Sequence, residues 1–371
     1  MINLRKSAKQ LFLGSTKALA IAFVLTSYAS ADVTAKLSHR KTINPFLAWN
    51  EEKFRDGAYG LRWSYSPQNN SKSTILLNEV YWNYAYDLGR YPGEEPFLTD
   101  RNWGHAAEYG HTLATRIDDP DFIIFISDVV SRNISIHPFD GVFLDWWHDN
   151  HPSGYSATKV KSARISLVKS IRTAIGPNKL ILGNVNWGLD KSTVHDINGV
   201  FLELWKEQAN RLYNSSELQD IERIINYYNQ NLAYPKIVAV EGWRKTSSKD
   251  VKERNSPENR QMAKLLTAMS VVIPDNGYIL YGDNNQDTDN GDHDHTYYDF
   301  YSFDIGHPTS SFIKVKSGLG YKEHQEGFVA YNITNRKQSF TRSNGETVEI
   351  EAKSGLFCKN AGTSLDCLPY D

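Results

Sequence analysis

The chain has 371 residues, with 41 lysines and arginines against 43 aspartates and glutamates, so its formal net charge is −2. A near-neutral chain without a basic block lacks the electrostatic footprint of a nucleic-acid-binding protein, so no nucleic-acid partner is expected. The length suits one large domain or two modest ones. Aromatic residues make up 12% of the chain. Several tryptophans fall beside carboxylates at predicted strand ends, which suits a carbohydrate cleft because sugar faces stack on aromatic rings.

Residues 1–31 have the pattern of a secretory signal peptide. Arg5, Lys6 and Lys9 precede an apolar stretch that is densest over residues 18–25 and ends in Ala-Ser-Ala. A basic segment, a short apolar core and a small-residue ending are typical of a cleaved leader, with cleavage expected before Asp32. The apolar run is shorter than the roughly 20 residues that span a bilayer, and no later run is long or apolar enough. We therefore predict a secreted or periplasmic protein.

Residues 74–284 alternate between apolar runs of strand length and amphipathic helical stretches. The runs are continuously apolar, as in a parallel sheet that is buried on both faces. The clearest runs are residues 74–78, 139–144, 179–183, 197–202, 235–240 and 276–281. Between them, the spacing of apolar residues predicts helices over residues 158–175, 216–229 and 257–272.

Two weaker runs, residues 45–49 and 59–63, precede these strands and bring their number to eight. Eight strands with intervening helices favour an α/β fold of the (β/α)8 TIM barrel type over a doubly wound sheet. The stretch between the two early runs is too short for an ordinary crossover helix. Either the first unit is irregular or one of the two runs is not a barrel strand. We assign the barrel to residues 32–308.

The character of the chain changes after Gly282. Residues 283–295 are polar and acidic without periodicity and are predicted to form a long loop. Strand-like segments follow, and Asn344-Gly345 between two of them is a hairpin signal. We predict a small C-terminal antiparallel β domain over residues 309–371. Cys358 and Cys367 are expected to form a disulfide in an oxidising compartment, with free thiols as the alternative.

A short internal sequence repeat identifies two candidate catalytic carboxylates. Residues 140–147 read DGVFLDWW and residues 198–205 read NGVFLELW, which places Asp145 and Glu203 after the same four residues. Each acid sits where a buried strand gives way to a loop, and barrel active sites are built at that end of the strands. A charge there is costly to bury unless a site uses it, although helix capping or pairing with an arginine is the alternative.

A third carboxylate, Glu241, ends its strand in the same way and is the reserve acid/base. If Asp145 and Glu203 follow strands four and six, both point inward across the barrel mouth. Glycosidases use such a pair, one protonated and one ionised, on either side of the bond that is cleaved. Other polar and aromatic residues near strand ends are predicted to bind substrate: Asn78, Glu79, Trp82, Trp146, Trp147, His148, Asn184, Asn186, Trp187, Trp205, Trp243, Asp283 and His295.

Metal binding is a weaker interpretation of the His and Asp clusters at residues 147–151 and 292–295. No HExxH or paired-Cys motif accompanies them. The loop after Gly282 lacks the register and the closing Glu of a calcium loop. No Walker, GxGxxG or GxSxG motif is present, so nucleotide and serine-hydrolase chemistry have no support. No metal site and no cofactor are therefore expected.

Three segments resemble the glycosyl hydrolase-like (β/α)8 barrel families, in particular the hypothetical glycosyl hydrolase family 15 group. They are residues 139–145 (FDGVFLD), residues 295–308, which include DIGHP, and residues 327–332 (GFVAYN). The resemblance covers most of residues 74–335 and implies a barrel, a carboxylate mechanism and an O-glycosyl substrate. The double Trp after Asp145 and the acidic loop after Gly282 depart from that pattern and put the sugar specificity in doubt.

Together these features predict a monomeric, secreted glycoside hydrolase that acts on a poly- or oligosaccharide. Asp145 is the expected nucleophile or base, and Glu203 is the expected general acid/base. A catalytically inactive glycan-binding barrel is the first alternative, and a metal-dependent hydrolase is the second.

Overall fold

The structure is a computed structural model, and it describes residues 33–49, 57–65, 71–86, 91–102, 112–151, 153–206, 212–244, 256–282, 297–362 and 364–370. The predicted signal peptide and the predicted acidic loop at 283–295 lie outside these residues. Within the described ranges, no helix has the length and apolar character needed to cross a membrane.

Eight parallel strands form one sheet, which confirms the predicted barrel. In chain order they are β1 (Phe46–Ala48), β2 (Leu61–Ser64), β3 (Ile75–Val80), β7 (Gly141–Leu144), β8 (Leu180–Asn184), β9 (Gly199–Leu204), β10 (Ile237–Trp243) and β11 (Asn276–Gly282). Each strand pairs with the next, and a parallel bridge between Pro45 and Ile279 brings the last strand back to the first. Both weak early runs are barrel strands, paired in parallel across the short connection of residues 49–60.

Every second residue of the barrel strands faces the interior, because side chains alternate between the two faces of a strand. The interior side chains form one apolar cluster, which includes Phe46, Leu61, Trp63, Ile75, Leu77, Phe143, Leu180, Leu182, Phe201, Ile237, Ala239, Tyr278 and Leu280. Trp63 and Phe143 stack at its centre with ring centroids 4.3 Å apart and planes 7° apart. The barrel interior is therefore a packed apolar core, and polar inward residues follow it at the carboxyl ends of the strands.

Four long helices cover the outside of the barrel: α1 (Pro120–Ile136), α2 (Ala157–Ile175), α3 (Ser215–Asn231) and α4 (Pro257–Val272). The last three confirm the predicted helices. The sequence interpretation did not identify α1, although Asp119 caps it and Pro120 occupies its first turn. These are ordinary start signals for a helix. The apolar faces of the helices pack against the outward residues of the strands in a second, larger cluster.

A three-stranded antiparallel sheet is inserted between β3 and α1. It consists of β4 (Tyr84–Tyr86), β5 (Leu98–Asn102) and β6 (Thr112–Thr115), in the order β4-β6-β5. Because it follows the carboxyl end of β3, it lies on the side of the barrel where active sites are built. The sequence interpretation did not predict this insertion.

The C-terminal region is a separate antiparallel sheet, as predicted. It contains β12 (Ile313–Lys316), β13 (Leu319–His324), β14 (Gly327–Asn332), β17 (Ser354–Ala361) and β18 (Ser364–Cys367), in that order. The predicted hairpin joins β15 (Gln338–Thr341) to β16 (Thr347–Ile350), with Gly345 at a φ of 87°. Cys358 and Cys367 form the predicted disulfide between paired strands. The exact domain boundary after residue 308 stays a prediction.

Candidate functional site

A group of polar side chains lies at the carboxyl end of the barrel. Glu79, Asp145, Asn184, Glu203 and Glu241 each follow the last apolar interior residue of their strand by two positions. The alternation of strand side chains therefore turns all of them toward the barrel axis. We call these five residues the mouth cluster. It brings together all three of the predicted catalytic carboxylates.

Asn184 connects the two principal carboxylates. Its Nδ2 donates to Asp145 Oδ1 at 2.9 Å and to Glu203 Oε2 at 2.8 Å. One amide nitrogen thus bridges a carboxylate oxygen of each residue, and with each of its two hydrogens directed at one acceptor the ideal spacing of the two oxygens is about 5 Å. The backbone N–H of Asn186 donates to Asn184 Oδ1, which fixes the orientation of the amide. Asp145 follows the fourth barrel strand and Glu203 lies on the sixth, as the sequence interpretation proposed.

Glu241 lies beside Glu203 in the next strand. The two residues are Cα partners in the parallel pairing of β9 with β10, so their side chains point to the same face. Glu241 is fully buried, whereas Glu203 is half-buried. On the far side of Glu241, its Cα partner in β11 is Leu280, and a Cβ added to Gly282 would lie 3.4 Å from Glu241 Oε1.

Glu79 is the fourth carboxyl group of the mouth cluster. Trp49 Nε1 donates to Glu79 Oε2 at 2.5 Å, and Tyr65 Oη donates to Glu79 Oε1 at 2.8 Å. Burial, and then the nearby charge of Asp145, raise the pKa of Glu79 well above its usual range, while these two hydrogen bonds act in the opposite direction. A buried carboxyl group whose pKa is raised by a neighbouring charge is a common feature of functional sites.

A network of buried groups supports the loop that carries Asp145. Trp82 Nε1 donates to the backbone oxygen of Asp145 at 2.7 Å, and Trp147 Nε1 donates to Thr193 at 2.8 Å. Arg164 lies over the Trp147 ring and donates to the Trp147 carbonyl. Both tryptophans are fully buried and use their N–H groups within the protein. Both N–H groups are therefore occupied within the fold around Asp145, and the role of these tryptophans in substrate binding stays a prediction.

Backbone strain is concentrated at the same end of the barrel. Trp49, Trp146 and Asn186 have φ values of 50°, 51° and 49°. Trp49 follows β1 directly, and Trp146 and Asn186 lie two residues after the ends of β7 and β8. Asn tolerates this left-handed conformation, but for Trp it is costly and persists only where surrounding structure enforces it. Such strain is typical of functional sites.

Aromatic rings surround the mouth cluster with very different exposure. Trp205, directly after β9, is 41% exposed, and Tyr65, directly after β2, is 47% exposed. Trp146 and Trp187 are half-buried, and Trp187 Nε1 donates to the Trp205 carbonyl at 3.3 Å. Trp243 is buried. The exposed and half-buried rings are the ones placed to meet a ligand.

Several predicted binding residues lie elsewhere. Asn78 points outward, where Asn133 of α1 donates to its Oδ1 at 2.9 Å, so the structure places it outside the mouth cluster. His148 packs edge-on against Trp146. Burial, and then the charge of Arg164, lower the pKa of His148 to about 4. Asp283 and His295 lie outside the described residues.

The described part of the chain contains no group of three or more His, Cys, Asp or Glu residues placed to hold a metal ion. Within the cluster at residues 147–151, Asp149 pairs with Arg164 at 2.6 Å. His151 Nδ1 lies 2.5 Å from the Ser153 hydroxyl. Residues 292–295, the second His and Asp cluster, lie outside the described ranges.

Tyr65 and Trp49 are site residues that the sequence interpretation missed. Tyr65 follows Leu61 and Trp63 at a spacing of two, so the alternation of β2 was a usable signal for its inward position. Trp49 carried no such signal, because its indole reaches Glu79 only through a left-handed backbone conformation.

No family model matches the chain, and no curated protein matches it in sequence. Several solved structures share part of its fold. One is an α-amylase from Geobacillus thermoleovorans complexed with acarbose, at 13% identity and a TM-score of 0.48 over 80% of this chain and 87% of that one. Another is the glycoside hydrolase domain of PelA from Pseudomonas aeruginosa, at 8% identity and 0.44 over 66% and 95%.

A third structure is the type III pullulan hydrolase from Thermococcus kodakarensis, at 11% identity and a TM-score of 0.49 over 87% of this chain and 78% of that one. All three neighbours are glycoside hydrolases. Similarity at this level does not identify an activity, since one barrel fold hosts many unrelated chemistries. The function is therefore argued from the mouth cluster itself.

Proposed function

We propose that the protein is a secreted glycoside hydrolase that cleaves O-glycosidic bonds of a poly- or oligosaccharide with two carboxylates. The observation that carries this proposal is the amide of Asn184, which donates to both Asp145 and Glu203. An amide that bridges two carboxyl groups brings them close together, and its ideal geometry of about 5 Å between the acceptor oxygens fits the 5–5.5 Å spacing that retaining glycosidases use. An inverting enzyme needs a wider gap, because a water molecule must fit between the second carboxylate and the sugar.

The two carboxyl groups differ in burial, and this difference suggests their roles. Asp145 is 7% exposed and is held from beneath by the Trp82 indole, so it is the fixed nucleophile. Glu203 is half-buried and lies next to the exposed ring of Trp205, where protons can exchange with solvent. Glu203 is therefore the general acid/base.

The reaction follows from these positions. Asp145 attacks the anomeric carbon while Glu203 gives its proton to the departing glycosidic oxygen, which leaves a glycosyl ester on Asp145. Glu203, now ionised, takes a proton from water, and that water attacks the anomeric carbon and releases Asp145 as a carboxylate. The product keeps its anomeric configuration, and both carboxyl groups return to their starting protonation states.

Glu241 is the reserve candidate for the acid/base role. It lies on the strand next to Glu203 and its side chain points to the same face, but it is fully buried. Replacement of each acid separately tells the two candidates apart. Loss of the acid/base slows substrates with poor leaving groups more than activated aryl glycosides, because only poor leaving groups need the proton.

The proposal is tested by digestion of a panel of neutral, acidic and amino-sugar polysaccharides and aryl glycosides. Wild type is compared with Asp145→Asn, Glu203→Gln and Glu241→Gln. Asp128→Asn and Glu349→Gln are matched controls, because Asp128 is exposed on the outer helix α1 and Glu349 is exposed on β16 of the C-terminal region. We expect about 10²–10⁴-fold losses for the acid/base variant, at least as large a loss for Asp145→Asn, and none for the controls.

Glycan binding without hydrolysis by wild type would instead identify a glycan-binding barrel. Proton NMR of the first product distinguishes retention from inversion. The finer resemblance to the hypothetical glycosyl hydrolase family 15 group and the secreted location rest on sequence motifs. The disulfide between Cys358 and Cys367 is compatible with an oxidising compartment.

A further inference from the structure

Two partly exposed aromatic rings flank the mouth cluster. Tyr65 follows β2 and Trp205 follows β9, and both continue the inward alternation of their strands. Their exposed fractions, 47% and 41%, contrast with the nearly complete burial of the aromatic residues beneath them. Single exposed aromatic residues are common on protein surfaces, so exposure alone does not indicate a binding site. The positions of these two rings relative to the carboxylates do indicate one.

The strand order places the two rings on opposite sides of the barrel. β2 and β9 are the second and sixth strands of the closed sheet, so they are four strands apart in either direction. Eight strands at the usual spacing and tilt give a barrel about 15 Å across. Asp145 follows the fourth strand, which lies between β2 and β9, and Glu203 is the preceding inward residue on the strand that leads to Trp205. A ligand that touches both rings is therefore longer than one sugar and crosses the carboxylates.

The Tyr65 ring is held in place before any ligand arrives. One face stacks on Tyr81 with centroids 5.1 Å apart, and Tyr81 in turn packs against Tyr84 of the inserted sheet. Its hydroxyl donates to Glu79 at 2.8 Å. A ring that is fixed at both its face and its hydroxyl loses little conformational entropy when a ligand stacks on it.

The Trp205 ring is anchored through its neighbours. Its carbonyl accepts a hydrogen bond from Trp187 Nε1. The next residue, Lys206, is buried, pairs with Glu217 at 2.7 Å and lies over the Tyr213 ring. These contacts fix the backbone at the end of β9 while the Trp205 side chain stays half in solvent. The two sides of the mouth thus each present one partly exposed ring, fixed through its own contacts at Tyr65 and through its backbone at Trp205.

We propose that Tyr65 and Trp205 are saccharide-stacking platforms on opposite sides of the cleaved bond, so that the enzyme binds the interior of a polysaccharide and cleaves it internally. This inference rests on the proposed function. Neither ring is a catalytic residue. Each sets substrate length, because a sugar stacked on Tyr65 and another on Trp205 hold the chain across Asp145 and Glu203.

The test uses the polysaccharides and aryl monoglycosides of the panel with the full chain. Tyr65→Ala and Trp205→Ala each remove a platform, and Tyr65→Phe keeps the ring but not the bond to Glu79. Tyr234→Ala is the matched control, because Tyr234 is 76% exposed and precedes β10 at the opposite end of the barrel. Circular dichroism confirms that each variant is folded. Size-exclusion chromatography of early products reports where the chain is cut.

We expect each alanine variant to raise KM for the polysaccharide about tenfold, which corresponds to about 1.4 kcal/mol of lost stacking. Aryl monoglycosides should be affected by at most one of the two variants, since a single sugar reaches one platform. Tyr65→Phe should lose less than Tyr65→Ala, because it keeps the stacking face and loses only the hydrogen bond to Glu79. Tyr234→Ala should resemble wild type. Polymer length should fall before monosaccharide appears.

Release of monosaccharide as the first product, or equal losses in Tyr234→Ala, would overturn this inference while leaving the hydrolase proposal intact. If Asp145→Asn retains full hydrolysis, the proposed function itself fails. If wild type hydrolyses no member of the panel, affinity gels that contain the same polysaccharides test whether the two platforms bind glycan. Retardation that is lost in both alanine variants supports the platforms, and retardation that is unchanged in them overturns the platforms.

Discussion

Strand β7 has an acidic residue at each end, and the two residues have different hydrogen-bond and charge environments. At the amino end, Asp140 accepts from the buried Lys36 ammonium at 2.8 Å and from the backbone N–H of Leu76 at 2.8 Å. At the carboxyl end, Asp145 shares the neutral amide of Asn184 with another carboxylate. A paired buried charge holds elements together, whereas clustered carboxyl groups cost stability and are retained for chemistry.

The same contrast appears in β9, the echo of β7 in sequence. Asn198, in the place of Asp140, accepts from Ile181 N–H at 3.1 Å and from Arg172 at 2.7 Å. Glu203, in the place of Asp145, belongs to the mouth cluster. In both copies the first polar residue binds the backbone of the preceding strand and the second faces the axis. The repeat thus encodes one structural position and one functional position.

The largest stability effect is expected at the amino end. Asp140→Asn removes the carboxylate that pairs with the fully buried Lys36 side chain. We expect the free energy of unfolding to fall by about 3–5 kcal/mol, because a buried ammonium loses its counter-charge. Urea unfolding measures this, with Asp128→Asn as the exposed control. A loss below 1 kcal/mol would contradict the structural role of this end.

At the carboxyl end, Asn184→Ala is expected to reduce activity more than stability. Without the shared amide, Asp145 and Glu203 lose their fixed spacing, and misplacement by about 1 Å can cost about 10²-fold in rate. The loss should appear in kcat with little change in KM, because the amide acts through the carboxylates. A change in KM alone would show that Asn184 binds substrate directly, as the sequence interpretation proposed.

A smaller effect is expected for Asn198→Ala. The Asn198 side chain accepts from Ile181 and Arg172 and donates to the Tyr234 carbonyl. Loss of these partners leaves buried groups unsatisfied, which costs about 1–3 kcal/mol. Thermal unfolding should detect this, while kcat should match wild type. A large loss of kcat would show that the two ends of β9 are not independent.

Glu79→Gln is expected to have the smallest effect, and its sign depends on pH. The pKa of Glu79 is raised in the fold, so above the unfolded value of about 4.3 the folded protein binds a proton that the unfolded chain has released. Wild type therefore loses stability as pH rises through this window. Gln mimics the protonated carboxyl group and does not titrate.

The melting temperature of Glu79→Gln relative to wild type should therefore increase from pH 4 to pH 8. A difference that stays constant with pH would mean that the pKa of Glu79 is the same in the folded and the unfolded chain. The slope of the melting-temperature difference against pH is the decisive readout. A changed hydrogen bond to Trp49 or Tyr65 would shift the difference by the same amount at pH 4 and at pH 8.

The candidate site was predictable to the extent that it follows strand alternation. Asp145, Glu203 and Glu241 were identifiable because each ends a continuously apolar run with a charge. Glu79 was recognised only as a polar strand end, since nothing local shows that Asp145 and two neutral donors surround it. For Trp82 and Trp147, composition cannot show that the rings are buried and that their N–H groups are used within the fold.

Sequence alone was enough to specify the barrel, the C-terminal sheet and the inward carboxylates, because hydrophobic period and turn chemistry are local properties of the chain. Tertiary structure decided which groups meet. The amide between Asp145 and Glu203, the pairing of Lys36 with Asp140 and the opposition of Tyr65 and Trp205 each join distant segments. Such contacts depend on closure of the whole sheet, which no single segment encodes.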